Sequence, residues 1–351
     1  MSPAPRLQTA VYAAALLLMT GWVLHIGREV FVPIVLAGLV VYVILGLTRL
    51  VGTLPVIGPL LPPRLRFALA ILLALSAVAG IVVVLLAHLD RVVAAIPQYE
   101  ASLLATIQGV ATRFGFDDEP TWRTLWQGVA SQVNVQAIIG SSVSVAAAIV
   151  GGTIVVLLYV VFILAERVHF PAKVDRMFAD AQAVARARAI VVRTNARIGT
   201  YLALKSLLGF LLGAVSWVVM VYFGLELALF WALLIGVLNY VPYLGSFLGV
   251  ALPVALAVVQ FPDLGTVFAL LAALTVVQFV IGNFLDPYLL GNSLNLSTFA
   301  ILASLMAWSA VWGIAGAFLA VPLTAVMVIV LSEFPGTRPV AILLSRSGEL
   351  S

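Results

Sequence analysis

Polar and helix-breaking residues interrupt the apolar sequence at three places, and they are the residues whose chemistry could act on a solute. In chain order they are Asn239, Tyr240, Pro242, Tyr243 and Gly245; Gln278, Asn283, Asp286 and Pro287; and Trp312, Gly313 and Gly316. A charged group inside hydrocarbon costs ~2.5–3.5 kcal/mol on insertion scales, and an unpaired amide also costs free energy. We therefore expect Asn239 and Asp286 to face water, a solute or each other along a transport path.

Asp286 has two interpretations. Within the membrane its carboxylate could bind a proton or a cation. At the cytoplasmic mouth it would only end a helix, because a residue that precedes proline avoids the α conformation. We favour the second interpretation. For Glu226 and Asp263 we expect positions near helix ends at the outer boundary.

The composition places these residues in an integral membrane protein. Of 351 residues, 64% are hydrophobic and 9% are charged, whereas about 25% of the residues in soluble domains are charged. The apolar residues form blocks of about 18 or more, the length that a helix needs to cross ~30 Å of hydrocarbon. A β-barrel would show short alternating segments instead. We predict an all-α, polytopic helical membrane protein.

The lengths of the apolar blocks predict about six full spans and two broken helical hairpins. The spans are residues 7–25, 30–48, 67–88, 143–165, 201–223 and 264–285. The blocks at 225–261 and 298–331 are too long for one span each. Proline removes a backbone donor and glycine permits bends, so we expect breaks at Asn239 to Gly245 and at Trp312 to Gly316.

The distribution of Lys and Arg predicts the orientation of the chain. Bases dominate 49–66 and 166–205, which we place in the cytoplasm, whereas acids outnumber bases in 89–141, which we place outside. Both termini are then cytoplasmic, and the first span is not a signal peptide, because no small-x-small cleavage site follows it.

The predicted segments are N-terminal transmembrane helices at 1–88, extracytoplasmic amphipathic helices at 89–141, a transmembrane helix at 142–165, a basic cytoplasmic linker at 166–200, a span with the first hairpin at 201–261, a span with the second hairpin at 262–335, and a cytoplasmic tail at 336–351.

Two segments outside the predicted spans carry helical patterns of their own. Apolar residues recur at helical spacing at Val92, Ile96, Tyr99, Leu103, Ile107 and Val110, and again at Trp122, Leu125, Trp126 and Val129. These patterns predict amphipathic helices that form a lid or a subunit contact, or that lie at the membrane interface. The basic stretch 167–199 predicts a helical linker near anionic lipid headgroups.

A shift of 69 residues aligns the two hairpin blocks. It places Leu225, Leu227, Phe230, Leu233, Ala251 and Pro253 on Leu294, Leu296, Phe299, Leu302, Ala320 and Pro322. Apolar sequences also match by chance, so a true repeat and a coincidence both remain open. With the predicted orientation a true repeat would be inverted, as in many secondary transporters, and a transport site would lie between the hairpins.

Small residues recur four positions apart in both parts of the first hairpin region. The pairs are Gly209 with Gly213 and Gly245 with Gly249. Such pairs let helices approach closely, and packing is their usual role. Sliding of a transport hairpin is the functional alternative.

The sequence lacks the patterns of several enzyme classes. It contains no cysteine, no H-E-x-x-H pair, no G-x-S-x-G elbow and no G-x-x-x-x-G-K-[ST] loop. Asp286 has no evident partner for an aspartyl protease dyad. We expect no enzymatic activity, no metal, no cofactor and no nucleic acid, and an ion gradient would have to drive any active transport.

The C-terminal half resembles a known family. After the segment Asn239 to Gly245 come Asp286-Pro287 with Gly291, and then Trp308, the run Trp312 to Gly316, and Ala320-Val321-Pro322-Leu323. Together these motifs resemble the autoinducer-2 exporter family, also described as PerM-like permeases. Val241 and Ser246 stand where Ile and Pro are expected, and the motif is otherwise intact.

The resemblance implies a secondary transporter in a bacterial-type cytoplasmic membrane. Members of the family are linked to export of the quorum-sensing signal autoinducer-2 or to exchange of cations for protons. The resemblance also implies a homo-oligomer, such as a pentamer, whose partners are the lipid bilayer and a small-molecule or ion substrate. A passive channel and a membrane scaffold that transports nothing are the alternatives.

Overall fold

The described part of the chain is built from helices. The computed structural model describes residues 3–55, 57–113, 135–177, 180–290 and 295–348, which leaves the pattern at Trp122 to Val129 outside the described residues. The helices are α1 (Pro3–Ile26), α2 (Arg28–Thr53), α3 (Ile57–Leu60), α4 (Pro63–Arg113), α5 (Val135–Glu166), α6 (Phe170–Met177), α7 (Ala181–Tyr222), α8 (Ala228–Leu238), α9 (Leu244–Gln260), α10 (Leu264–Val280), α11 (Asp286–Leu290), α12 (Thr298–Glu333) and α13 (Arg338–Leu344).

Six helical stretches among the described residues are long and apolar enough to cross a membrane. They are Arg28–Thr53, Pro63–His88, Ala146–Glu166, Ala181–Tyr222, Leu264–Leu290 and Thr298–Glu333. This confirms the prediction of a polytopic helical membrane protein. The helix α1 covers the predicted span at 7–25 but is not among the six, so that crossing stays a prediction.

The span predicted at 67–88 and the amphipathic pattern from Val92 to Val110 lie on one helix. The helix α4 runs without interruption from Pro63 to Arg113, and its part Pro63–His88 is the candidate span. The sequence turns from apolar to charged at Asp90 and Arg91, but charged residues do not break a helix. No glycine lies between residues 81 and 108, so nothing except Pro97 opposes propagation.

The second half of the predicted basic linker at 166–200 lies on the same helix as the span that follows it. The helix α7 begins at Ala181 and continues as one helix to Tyr222. One side of its basic part is packed: Ile198 is buried, and Tyr42 donates a hydrogen bond of 2.8 Å to Asn195 Oδ1. This part of α7 therefore packs against protein as well as carrying surface charge.

The chain forms two compact units. The first comprises Met1–Ala74, Ile154–Lys205 and Leu290–Ser351, and the second comprises Leu75–Thr153 and Ser206–Leu289. In the first unit, α2, α4 and α5 share an apolar core that contains Ala37, Val41, Ile44, Ala70, Ala74 and Val160. Small residues bring α2 close to α7, since a Cβ on Gly46 would overlap the carbonyl oxygen of Gly199.

In the second unit, glycines set the distance between α7 and α8. A Cβ on Gly209 would lie 2.6 Å from the carbonyl oxygen of Gly236, and one on Gly213 would lie 2.7 Å from that of Ala232. Both distances are too short for a side chain, so this small-residue pair serves helix packing, as expected.

The ends of α7 and α9 are tied together in the second unit by one side chain. Gln260 Oε1 accepts a hydrogen bond from the backbone N–H of Glu226 at 2.8 Å, and its Nε2 donates to the carbonyl of Gly224 at 2.7 Å. The loop between α7 and α8 is therefore fixed to the end of the first hairpin.

Candidate functional site

The first hairpin breaks where the sequence predicted. The helix α8 ends at Leu238 and α9 begins at Leu244. A Cβ on Gly245 would overlap the carbonyl oxygen of Leu238, whereas one on Gly249 would lie 3.5 Å from the Ile235 side chain, at ordinary contact distance. The two arms therefore fold back on each other with backbone against backbone at the break.

A strained turn closes this break. The backbone N–H of Leu244 donates to the carbonyl of Pro242 at 2.6 Å, and Tyr243 between them has φ 60° and ψ −55°. These features define a γ-turn with positive φ, which is rare because a side chain is strained there. Such strain costs about 1–3 kcal/mol and tends to occur at functional sites. The Tyr243 side chain is exposed at this turn.

Asn239 places a buried amide at the break. Its backbone N–H caps α8 by donating to the carbonyl of Ile235 at 3.0 Å, and only 9% of the residue is exposed. The side-chain Nδ2 is buried beside Gly209 and has no hydrogen-bond partner among the described residues. An unsatisfied buried donor costs about 1–3 kcal/mol.

A second buried donor lies on the same helix. The indole Nε1 of Trp231 is also buried without a hydrogen-bond partner in the described part of the chain. Asn239 directly follows α8, eight residues after Trp231, or about 12 Å along the helix axis at 1.5 Å per residue. The helix α8 and its C-terminal cap thus carry two N–H groups that could bind an acceptor.

Two serines that the sequence analysis did not select pair with candidate residues. Ser206 shares a hydrogen bond with the hydroxyl of Tyr240, and Ser246 Oγ accepts from Gln278 Nε2 at 2.8 Å. Both pairs lie within the second unit. A serine in an apolar block is also a usual small packing residue, so its type and position alone do not indicate these contacts.

The expectation that Asp286 ends a helix is wrong. A π-helical turn, Ile281–Leu285, follows α10, and the helix then continues as α11 through Asp286 and Pro287. The N–H of Asp286 donates to the carbonyl of Ile281, five residues earlier. In a regular α-helix a proline ring clashes with the carbonyl four residues before it, and here the turn before Pro287 is π-helical instead. Asp286 therefore lies within the helical stretch Leu264–Leu290, which is long and apolar enough to cross a membrane, and its Oδ1 is buried.

Other polar residues in this region make local hydrogen bonds. Asn283 is exposed and its Nδ2 donates to the carbonyl of Phe279 in the preceding turn, at 3.2 Å. Asp263 is the N-cap of α10 and accepts from the backbone N–H groups of Gly265 and Thr266. The helix-end position expected for Asp263 is confirmed. The hydrogen bond from the backbone N–H of Thr266, and next that from Gly265, lower the pKa of Asp263.

The second hairpin break, in the first unit, is also where the sequence predicted. Gly313 has φ 62° and ψ −136°, which is open only to glycine, and it separates an arm at 298–312 from an arm at 314–333. A Cβ on Gly316 would overlap the carbonyl oxygen of Trp308. The indole of Trp308 donates to Thr324 Oγ1 at 3.3 Å, which links the two arms.

The end of α1 caps this second break. Trp312 Nε1 donates to the carbonyl of Leu24 at 2.9 Å, and His25 Nδ1 lies 2.9 Å from the carbonyl oxygen of Val311. The last carbonyls of a helix lack partners within that helix. Each helix end here therefore receives a side-chain donor from the other.

A buried cation on α7 was not selected by the sequence analysis either. Lys205 is only 7% exposed, although we counted it as one of several bases that set orientation. The sequence signal was present, because Lys205 is followed by an apolar run that continues to Tyr222. A charge inside a spanning helix is a reason to look for function.

The structure thus groups the predicted residues into two sets, one in each unit. The second unit holds Asn239, Tyr240, Pro242, Tyr243 and Gly245 at the first break and Gln278, Asn283, Asp286 and Pro287 on the helix that follows. The first unit holds Trp312, Gly313 and Gly316 at the second break.

Known proteins place this arrangement in a family. The family model of AI-2E family transporters matches residues 13–336, which include both breaks and the π turn. The chain belongs to the AI-2E transporter family. The match covers most of the chain, so the family applies to both units.

Individual relatives agree with this assignment. The chain is 28% identical to the AI-2 transport protein TqsA of Escherichia coli (strain K12) over 329 residues. The aligned region covers 92% of this chain and 91% of that protein. It is 36% identical to YhhT of the same organism over 185 residues, about half of each protein. It is 28% identical to PerM over 142 residues, or 40% of each protein.

Proposed function

We propose that this AI-2E family member is a secondary transporter that exports a small solute across the cytoplasmic membrane and binds it at the first hairpin break. The observation that supports this most is Asn239 Nδ2, a buried amide donor with no hydrogen-bond partner in the described residues. Protein interiors normally satisfy such groups. A solute oxygen that arrives during transport would satisfy it.

The chemistry of the break favours one class of solute. Asn239 Nδ2 at the break is an N–H donor, and a donor attracts hydroxyl, carbonyl or carboxylate oxygens. Hard metal cations such as Ca²⁺ and Mg²⁺ need oxygen ligands instead. We therefore propose a small molecule rich in oxygen acceptors, and the name of the relative TqsA makes AI-2 the first compound to assay.

Asp286 supports the role of a proton in the transport cycle. It lies within the stretch Leu264–Leu290, which is long enough to cross a membrane, directly after a π turn. π turns inside α-helices occur often at functional sites. We propose that this carboxyl group couples transport to the proton gradient; exchange of cations for protons is the alternative that uses the same residue.

Transport in proteoliposomes tests the proposed function. We expect AI-2 or a similar solute to move against its concentration gradient when a proton gradient is imposed. Asp286→Asn should abolish the pH dependence while the protein assembles normally. Flux that follows only the solute gradient would instead identify a passive channel.

Amide variants test the proposed site. Asn239→Ala should lower the flux without affecting membrane insertion. Asn283→Ala is the matched comparison, because that amide is exposed and donates to the carbonyl of Phe279 in its own helix, so its loss should lower the flux less. Equal flux in both variants and the parent would place the solute elsewhere.

A further inference from the structure

One end of the first unit exposes apolar and basic side chains together. The segments concerned are residues 49–55 and 57–67, from the end of α2 to the start of α4, and residues 166–177, from the end of α5 through α6, which we call the basic–apolar rim. Its exposed apolar residues are Leu54, Leu60, Leu65, Val168, Phe170 and Met177. Its exposed basic residues are Arg49, Arg64, Arg167, Lys173 and Arg176.

Contacts show that these segments lie at the same end of the unit. The guanidinium of Arg167, just after α5, lies 5.6 Å from the centre of the Phe67 ring, in the first turns of α4. A Cβ on Gly52, near the end of α2, would lie 3.0 Å from Arg66 Nη1. The ends of α2 and α5 and the start of α4 therefore meet.

The helix α6 gives the rim an apolar edge. Val174 is buried and attaches α6 to the unit, whereas Met177 is 71% exposed and Phe170 is 46% exposed. Phe170 and Met177 are seven residues apart, so they share one side of the helix. This edge directly follows the spanning stretch Ala146–Glu166.

Ion pairs leave the outward charge of the rim positive. Glu166 pairs with Lys173, and Asp175 pairs with Arg188. Arg64 and Arg176 are exposed, and neither of the rim's two acidic residues is paired with them. A surface that combines apolar side chains with arginines next to a membrane span fits the boundary between acyl chains and anionic headgroups.

We propose that the basic–apolar rim is a binding surface for anionic phospholipid. Phe170 and Met177 insert at the level of the acyl chains, and Arg64 and Arg176 bind the headgroup phosphates. Each arginine near an anionic surface contributes roughly a fivefold change in affinity. The rim consists of residues of the first unit and the first hairpin break consists of residues of the second, so the test of lipid binding does not depend on the proposed solute site.

Lipid titration of the full-length protein in neutral detergent tests the proposal. The unfolding midpoint is measured while phosphatidylglycerol, phosphatidylcholine or inorganic phosphate is added. We expect phosphatidylglycerol to stabilise the protein most. The double variant Arg64→Gln with Arg176→Gln should raise the half-saturating concentration of phosphatidylglycerol by about 25-fold.

Matched variants separate charge from fold. Arg28→Gln removes an exposed arginine at the opposite end of α2 and should change nothing, and Arg64→Lys with Arg176→Lys should keep most of the affinity. The double variant Phe170→Ser with Met177→Ser should weaken the binding of phosphatidylglycerol and of phosphatidylcholine by the same factor. Equal stabilisation by phosphatidylcholine, an equal effect of Arg28→Gln, full stabilisation by inorganic phosphate, or no effect of the two serines would each overturn the proposal.

Discussion

The indole nitrogen of Trp312 donates a hydrogen bond of 2.9 Å to the carbonyl of Leu24. One residue further along α1, His25 contacts the carbonyl oxygen of Val311 at the same distance. The end of α1 and the tip of the second hairpin therefore cap each other. The tip cannot move away from α1 without the loss of both hydrogen bonds.

This pair of contacts predicts a specific effect of Trp312→Phe. The variant keeps most of the aromatic surface but leaves the carbonyl of Leu24 without its donor, so we expect a loss of about 1 kcal/mol in the free energy of unfolding. Chemical denaturation in detergent measures it. Trp217→Phe, at a half-exposed tryptophan in α7, is the comparison, and an equal loss there would contradict the capping role.

Gly245 and Gly249 should respond differently to alanine. Gly245→Ala places a methyl group on the carbonyl of Leu238, so the first hairpin cannot close and the folded yield should fall sharply. Gly249→Ala meets only ordinary contacts and should change the free energy of unfolding by less than about 1 kcal/mol. Size-exclusion profiles and denaturation of the two variants make the comparison, and a tolerated Gly245→Ala would rule out the close approach.

Asn239→Leu should stabilise the protein while it impairs transport. Leucine has a similar size and removes a buried donor that lacks a partner, so we expect a gain of about 1 kcal/mol in the free energy of unfolding. Solute flux in proteoliposomes should fall in the same variant. A destabilised variant, or one with parental flux, would show that the amide serves the fold rather than the solute.

The orientation of the chain stays a prediction that labelling can test. A cysteine introduced by Arg186→Cys should be protected from an impermeant thiol reagent in intact cells, because the basic segment that contains it is predicted to be cytoplasmic. The chain has no cysteine of its own, so the label reports this position alone. Labelling of this cysteine in intact cells would show that the segment lies outside and that the predicted orientation is wrong.

Asp263 predicts a pH dependence at low pH. Hydrogen bonds from Thr266 and Gly265 hold the pKa of this carboxyl below its ordinary value of 3.8. The stabilising contribution is therefore complete above that value and is lost as the pH falls through the lowered pKa. Asn also caps helices but does not titrate. As the pH falls below 3.8, the unfolding midpoint of the parent should approach that of Asp263→Asn. A difference in midpoint that does not change with pH would show that the titrating cap does not cause it.

The sequence predicted both hairpin breaks because glycine and proline act on the backbone locally. Gly313 needs a positive φ, and the segment around Pro242 cannot continue α8, so both signals are visible without any tertiary contact. The same local rule failed at Asp286, because the helix continues through Pro287 after a π turn. A π turn shifts the helical register by one residue, and this shift cannot be recognised in a sequence whose residues are apolar on all sides.

The extent of α4 and α7 could not be predicted from hydropathy. Hydropathy reports where the environment changes, at Asp90 and near Lys205, whereas helices continue through such points when nothing breaks them. The pairs formed by Ser206 with Tyr240 and by Ser246 with Gln278 depend on tertiary packing. Contacts between residues distant in the chain produce no periodic pattern in a single sequence.

The glycines at the two hairpin tips also constrain how this gene can vary. Every single-base change in a glycine codon that alters the amino acid introduces a Cβ atom or a stop codon. At Gly245 and Gly316 any Cβ would overlap a backbone carbonyl, and a carbonyl cannot rotate away as a side chain does. A saturation library selected for function should therefore retain only the synonymous codons at these two sites, even where the neighbouring apolar positions exchange freely.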